Sequence, residues 1–209
     1  MPFDPEFIKA LQQLPSKEKD KLILRLLNKD TKLASRLRFE LVETDSVEDK
    51  RSDLSNEIIE KVKWATNRYY SPGILLMDMR EISGLINEHV AITKDKIGEI
   101  SLNLFMIRQL LELNNERIAV APRGKSYTLC IYIIARVFKI LLLIQKQHPD
   151  LHFDFKEDIE IVGRLIGRND SLMKTAIHNG LDVNWLLEFE IPEDIVEIHK
   201  NIKAMGFLK

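Results

Sequence analysis

Apolar residues cover nearly every side of the segment from Tyr127 to Ile144 when it is wound as a helix, and its charged residues are Arg136 and Lys139. A helix that is hydrophobic all round has to be buried by other elements or by lipid. The other segments repeat their apolar residues on single stripes, which predicts amphipathic helices. The pattern therefore predicts an all-α protein of about ten helices packed around a central helix, Tyr127–Ile144.

Three short helices are predicted near the N-terminus, because capping residues precede three apolar stripes there. Asp4 is placed to cap the first helix, Ser16 starts the second, and Asp30 is placed to cap the third. Short helices joined by short loops commonly close a small helical layer. We therefore predict an N-terminal subdomain at residues 1–43 and a main helical domain at residues 44–209, together forming one continuous globular unit.

Proline, glycine and capping residues divide the main domain into further helices. The proline and glycine that follow Ser71 end one helix and open the next. An irregular connection is predicted at Arg117–Gly124, directly before the central helix. One predicted helix ends near Tyr70, the next covers Ile74–Val90, and a third runs from a cap at Thr93 to Asn115. Further helices are predicted to begin near Asp154, Ser171, Asp182 and Pro192.

Composition supports a folded domain and gives no global preference for a charged partner. The chain has 209 residues, of which 45% are hydrophobic and 30% are charged, and its formal net charge is -1. These values are globular, and they imply no overall attraction to nucleic acid or anionic lipid, although a local patch stays open. The single cysteine, Cys130, rules out an internal disulfide framework. With no basic or apolar leader at the start of the sequence, we expect a cytoplasmic protein.

The central helix is about long enough to cross a bilayer, so a transmembrane span has to be weighed. Arg136 and Lys139 lie at its middle, where each costs about 2.5–3.5 kcal/mol on insertion scales. The surrounding apolar residues offset most of that cost, so energy alone leaves insertion near balance. The stripes of the other helices need a protein core to cover them. We therefore expect a soluble fold with no membrane partner.

An anion site is a candidate directly before the central helix. Ala119–Ser126 resembles a phosphate-binding loop, but alanine replaces the first glycine and no strand precedes it, which argues against a nucleotide hydrolase. A weaker hypothesis keeps Arg123, Gly124, Lys125 and Ser126, because the free amides and dipole at a helix start favour an anion. The alternative is a polar turn in which Ser126 caps the helix.

A buried polar cluster is the second candidate site. Arg136 and Lys139 are three residues apart and share a face of the central helix. Buried cations need acidic or carbonyl partners, and Asp78 and Glu81 share a face of another apolar helix. Four such charges could line a pocket with perturbed pKa values, as an active site does. They could equally form a structural ion-pair network or line a solvated groove.

A basic row is the third candidate, as a nucleic-acid interface. Eight basic and three acidic residues lie between Lys17 and Arg38, and Lys21, Arg25 and Lys29 recur at every fourth position. Rows of this kind can bind phosphate backbones. They are also typical of a solvated helix face, and we expect no appreciable nucleic-acid binding.

Catalytic and metal motifs are missing from the sequence. None of the five histidines belongs to an H-E-x-x-H motif, and no serine lies in a G-x-S-x-G turn. We therefore expect no metal and no cofactor. The leading hypothesis is a non-enzymatic domain that acts through a protein partner or a small ligand. An enzyme built on the polar cluster and a nucleic-acid-binding module built on the basic row remain the alternatives.

Overall fold

A computed structural model describes residues 3–209, and its regular elements in that range are all helical, as predicted. A 3-10 helix at Pro149–Phe155 joins the seventh and eighth α-helices. The α-helices of the described range are α1 (Pro5–Gln13), α2 (Ser16–Leu27), α3 (Thr31–Leu41), α4 (Val47–Asn67), α5 (Pro72–Thr93), α6 (Lys96–Val120), α7 (Arg123–Gln145), α8 (Lys156–Gly167), α9 (Asp170–His178), α10 (Asn184–Leu187) and α11 (Ile195–Ala204).

The chain forms two compact units. The first comprises the residues up to Asp45 together with Ala91–Lys94, and the second comprises Ser46–Val90 together with Asp95–Lys209. The first unit is therefore built from two separate pieces of the chain. The prediction that both parts form one continuous globular unit stays a prediction.

In the first unit, side-chain caps start two of the helices. Asp4 accepts a hydrogen bond from the amide of Phe7 at 2.8 Å, and Asp30 accepts one from the amide of Leu33 at 3.0 Å, which confirms both predicted caps. Each bond satisfies an amide that has no partner within the helix. Although α2 packs on α3, none of the side chains of α1, α2 and α3 is buried.

In the second unit, the core is organised around two helices. The predicted central helix lies within α7, which buries eleven residues and packs against α6, α9 and α11. However, α6 also buries eleven residues and contacts α4, α7, α8 and α9. Two of its buried residues are Asn103 and Asn114. They make the sequence of α6 less apolar, although the helix lies in the core.

The connection between these two helices is shorter than predicted. Because α6 continues to Val120 and α7 begins at Arg123, the predicted irregular segment Arg117–Gly124 is almost entirely helical. The last turn of α6 buries Ile118 completely, and this burial favours continuing the helix. The predicted cap at Thr93 is also wrong, because Asp95 accepts the hydrogen bond from the amide of Gly98 that starts α6.

Among the described helices, α7 is the one whose length and composition would allow it to cross a membrane. However, 56% of its most apolar window is buried inside the fold. Both of its central cations also have polar partners on α6, described below. Packing within the fold therefore accounts for the apolar surface of α7 that lies in its core.

Candidate functional site

The two central cations of α7, Arg136 and Lys139, have partners on α6. Arg136 donates from Nη1 to the amide oxygen of Asn103 at 3.2 Å and from Nη2 to the hydroxyl of Tyr132. Lys139 Nζ lies 2.7 Å from Glu99 Oε1, one turn away from Asn103 on α6. The guanidinium charge is therefore met by neutral oxygens, and the ammonium charge by a carboxylate.

The predicted pairing of these cations with Asp78 and Glu81 is wrong. Glu81 instead forms an ion pair with Lys61 of α4, with Nζ and Oε1 separated by 2.7 Å. The reason lies in the direction of the α5 side chains. Ser83 accepts a hydrogen bond from Tyr132 of α7, and a helix turns by about 100° per residue, so Glu81 points nearly away from α7.

We expect Arg136→Met to lower the free energy of unfolding by about 1–3 kcal/mol, because the buried amide oxygen of Asn103 loses its donor. Combined with Asn103→Leu, the cost should fall below the sum of the two single costs, whereas combination with Glu81→Gln should be additive. Urea unfolding of the single and double variants measures both cycles. A cost for Arg136→Met with Glu81→Gln that differs from the sum of the two single costs would contradict the assignment of Asn103 as the partner of Arg136.

A second polar cluster, which the sequence did not predict, joins α4, α5 and α6; we call it the Asp95 cluster. Arg51 donates from Nε and Nη2 to the two carboxylate oxygens of Asp95 at 2.7 and 2.8 Å. His89 Nε2 lies 3.1 Å from the same carboxylate, and the amide of Gly98 donates to it at 2.7 Å. Burial by itself raises the pKa of Asp95, but the hydrogen bonds from His89, Arg51 and Gly98 outweigh it and hold that pKa well below its ordinary value.

Asp78 and Glu81 line a cleft of about 400 Å³ between α4 and α5, which we call the acidic cleft. Burial, together with the charge of Glu81, raises the pKa of Asp78 despite the opposing charge of Arg68. No serine, cysteine or histidine is among the described lining residues, so the cleft lacks a hydroxyl or thiol nucleophile paired with a histidine base. Its described lining consists of Glu57, Glu60, Lys61, Trp64, Asp78, Glu81 and Ile82.

A second cleft, of about 630 Å³, lies where three helix ends meet, and we call it the tyrosine cleft. The turn between α4 and α5 supplies two tyrosines, α6 supplies its last turn, and α7 supplies its first turn. Pro72 begins α5, and Pro122 occupies the N-cap position of α7, so both helices start at this cleft. Its described lining is Tyr69, Tyr70, Ser71, Pro72, Arg117, Val120, Ala121, Pro122 and Lys125.

The charges of the tyrosine cleft favour an anion. Arg117 and Lys125 are its charged lining residues, and no carboxylate is among the lining residues that the structure describes. Both α5 and α7 begin at the cleft, and the positive ends of their dipoles add to these charges. Pro122 occupies the N-cap position of α7 and provides no side-chain hydrogen bond to the first turn.

Arg117 is held in place before any ligand binds. Its Nη1 donates to the carbonyl oxygen of Thr66 at 2.6 Å, and its Cζ lies 5.2 Å from the centre of the Tyr69 ring. Burial raises the pKa of Tyr69, and the charge of Arg117 only partly opposes this, so the phenol keeps its proton at neutral pH. A guanidinium held this way loses less conformational entropy when it binds an anion.

Of the four residues predicted to bind an anion, Lys125 lines the tyrosine cleft. Arg123 and Gly124 are exposed in the same turn of α7. Ser126 is fully buried, and its hydroxyl donates to the carbonyl oxygen of Arg123 at 3.4 Å, so it does not cap the helix as the alternative reading expected. Arg117 and the tyrosines could not be predicted as site residues from the sequence, because only the fold brings the helix ends together.

The basic row lies on α2 and α3 in the first unit. Lys21 and Arg25 are exposed on one side of α2, and Lys29 is exposed just beyond the end of that helix at Leu27. Further along, Arg36 is already paired, with its Nε 2.6 Å from Glu40 Oε1. The row therefore presents exposed cations mainly on α2.

Metal and thiol chemistry find no support in the described residues. No group of three or more histidine, cysteine, aspartate or glutamate side chains is placed there to hold a metal ion. Burial raises the pKa of the Cys130 thiol to about 11, so it stays protonated in the core of α7 at neutral pH.

No family model, curated protein or solved structure matches the chain.

Proposed function

We propose that the protein is a non-enzymatic, cytoplasmic binding protein that takes a small anionic ligand in the tyrosine cleft. The observation that carries this proposal is the convergence of Arg117, Lys125 and the starts of α5 and α7 on one cleft. Clefts of about 300–1,000 Å³ are typical of small-molecule sites. This cleft falls in that range, and its described lining carries a net positive charge, whereas that of the acidic cleft is negative.

The ligand best suited to this lining carries a phosphate or carboxylate on a flat apolar body. The anionic group would lie between Lys125 and the first turn of α7. Tyr70 is 87% exposed beside it, and an exposed aromatic ring offers a stacking surface for a flat ligand. Binding an anion at the cleft would replace water around the cations without requiring a new charge to be buried alone.

Binding without catalysis fits the chemistry of the lining. The cleft has one hydroxyl side chain outside the tyrosines, that of Ser71, which accepts a hydrogen bond from the amide of Ile74 at 3.4 Å. An activated nucleophile needs a neighbouring base, and the described lining contains no histidine and no carboxylate. The cleft can therefore bind and orient an anion but has no group to attack it.

The test is to titrate the protein with phenyl phosphate, inorganic phosphate and phenol and to measure binding by calorimetry. Phenyl phosphate should bind most tightly, because it joins the anionic group to a ring. Lys125→Gln and Arg117→Gln should each weaken binding by roughly 10-fold or more, since a hydrogen bond to a charged group contributes about 1.5–3 kcal/mol. Lys200→Gln, an exposed lysine on α11, is the matched control and should leave binding unchanged.

Arg117→Lys separates charge from structure, because it keeps the cation while losing the planar contact with Tyr69. Partial binding by this variant would support an electrostatic role for the position. The proposal fails if none of the three probes binds, or if Lys125→Gln binds phenyl phosphate as well as the parent does. Equal affinity for phenol and phenyl phosphate would also contradict an anion site.

A further inference from the structure

The first unit exposes an unusual amount of apolar surface for its size. None of the residues of α1, α2 and α3 is buried, so their apolar stripes gain little from folding. Surface of this kind, on three consecutive amphipathic helices, marks an interaction site. The large apolar side chains exposed on these helices and their flanks are Phe3, Phe7, Ile8, Ile23, Leu24, Leu26, Leu33, Leu41 and Val42.

Positive charge accompanies this apolar surface. The stretch from Lys17 to Arg38 has eight basic and three acidic residues, although the chain as a whole has a net charge of -1. On α2 the two properties lie mostly on different sides, with Lys19 among the apolar residues. With about 100° per residue, Ile23 and Leu26 fall on one side, and Lys21 and Arg25 fall on the other.

We propose that the first unit docks on an anionic lipid surface, with the apolar sides of its helices in the headgroup boundary and its cations near the lipid phosphates. A helix that lies in a membrane interface has this composition, with lysine and arginine on the polar side and leucine, isoleucine or phenylalanine on the other. Anionic lipid complements both the charge and the apolar surface. The contact is peripheral, so α7 stays in the core of the second unit.

The same observations argue against other occupants of this surface. A second copy of the unit would bring two Lys17–Arg38 stretches of like charge together. A nucleic acid would neutralise the cations but would leave side chains such as Leu24 and Leu41 in water, where they are 62% and 78% exposed. This proposal differs from the expectation that the chain has no membrane partner, which rested on net charge and on α7.

The test is co-sedimentation of the full chain with large vesicles, either of pure phosphatidylcholine or with about one third phosphatidylglycerol. The parent should sediment with the anionic vesicles only, and added salt should release it because screening weakens the attraction. The triple variant Lys21→Gln, Arg25→Gln, Lys29→Gln should weaken binding by roughly 10-fold or more. Its control is Lys146→Gln, Lys200→Gln, Lys203→Gln, which removes three exposed lysines of the second unit.

A second pair of variants tests the apolar contribution. Ile23→Ser with Leu26→Ser removes two exposed side chains from the apolar side of α2 and should weaken vesicle binding by roughly 10-fold at unchanged charge. Val196→Ser with Met205→Ser, which changes exposed apolar residues near α11, should bind like the parent. Failure to bind anionic vesicles overturns the proposal. Equal binding to neutral vesicles, or tight binding to a DNA duplex in the absence of vesicle binding, overturns it as well.

Discussion

Replacing Gly98 by alanine is expected to lower the free energy of unfolding by about 3–5 kcal/mol, although alanine is the better helix former. A Cβ at this position would lie 1.9 Å from Asp95 Oδ2 and 2.8 Å from Arg51 Nε. Neither atom has room to move while the Asp95 carboxylate accepts from the Gly98 amide and from Arg51. The alanine would therefore displace Asp95 from its partners and remove the cap of α6.

Gly84→Ala is the matched control for this prediction. Gly84 lies in the middle of α5, and a Cβ built on it meets no atom within 4 Å. Alanine there should raise the free energy of unfolding by about 0.5–1 kcal/mol, because it restricts the unfolded chain and strains nothing in the folded one. Opposite signs for two helical glycines, measured by urea unfolding, would show that the cost arises from the Asp95 cluster. A Gly98→Ala variant with the same free energy of unfolding as the parent would contradict the predicted crowding at Gly98.

Helices were predictable from the sequence because their signals are local. A capping residue such as Asp4 contacts an amide three residues away, and a stripe of apolar residues is read from spacing alone. The segment Tyr127–Ile144 was also predictable as a core helix, because only burial satisfies a helix that is apolar on every side. The core role of α6 was not, since its buried Asn103 looks like a surface residue in the sequence.

The candidate sites were less predictable, because they depend on which helices become neighbours. The spacing of Asp78 and Glu81 shows that they share a face, but only the fold shows that this face meets α4 instead of α7. Lys125 was identified as a candidate from its position before an apolar helix. Arg117 was missed, because it lies on the preceding helix and reaches the same cleft only through the short connection to α7.

The Asp95 cluster gave no recognisable motif, since Arg51 lies 44 residues from Asp95 in the sequence. Its charged side chains are of types that are common at protein surfaces, and only their contacts with one another give them a structural role. Buried charges are tolerated when they are paired and fully hydrogen-bonded. The Asp95 carboxylate meets this condition with donors from α4, α5 and α6, so a change at this position affects contacts of all three helices.

Asp95→Asn should accordingly lower the free energy of unfolding by about 3 kcal/mol or more at neutral pH. An amide oxygen in place of Oδ1 can still accept from Gly98 and from Arg51 Nη2. The NH₂ group in place of Oδ2 would face Arg51 Nε and His89 Nε2, and the charge of the guanidinium would lose its partner. Asp182→Asn is the matched control. Asp182 accepts a hydrogen bond from the amide of Asn184 at 2.9 Å at an exposed site, and an asparagine side-chain oxygen can accept the same bond, so the cost should be small.

The difference between the parent and Asp95→Asn should also depend on pH, with a sign fixed by the pKa of Asp95. Because that pKa lies below its ordinary value in the folded state, the carboxylate stabilises the fold at every pH above the unfolded pKa, near 4. The stabilisation is lost as pH falls further, toward the lowered folded-state pKa. Urea unfolding should therefore give a constant difference between about pH 5 and pH 7 and a shrinking one below about pH 4. A difference that grew on acidification, or that was already small at pH 7, would show that Asp95 is not stabilised by its charge.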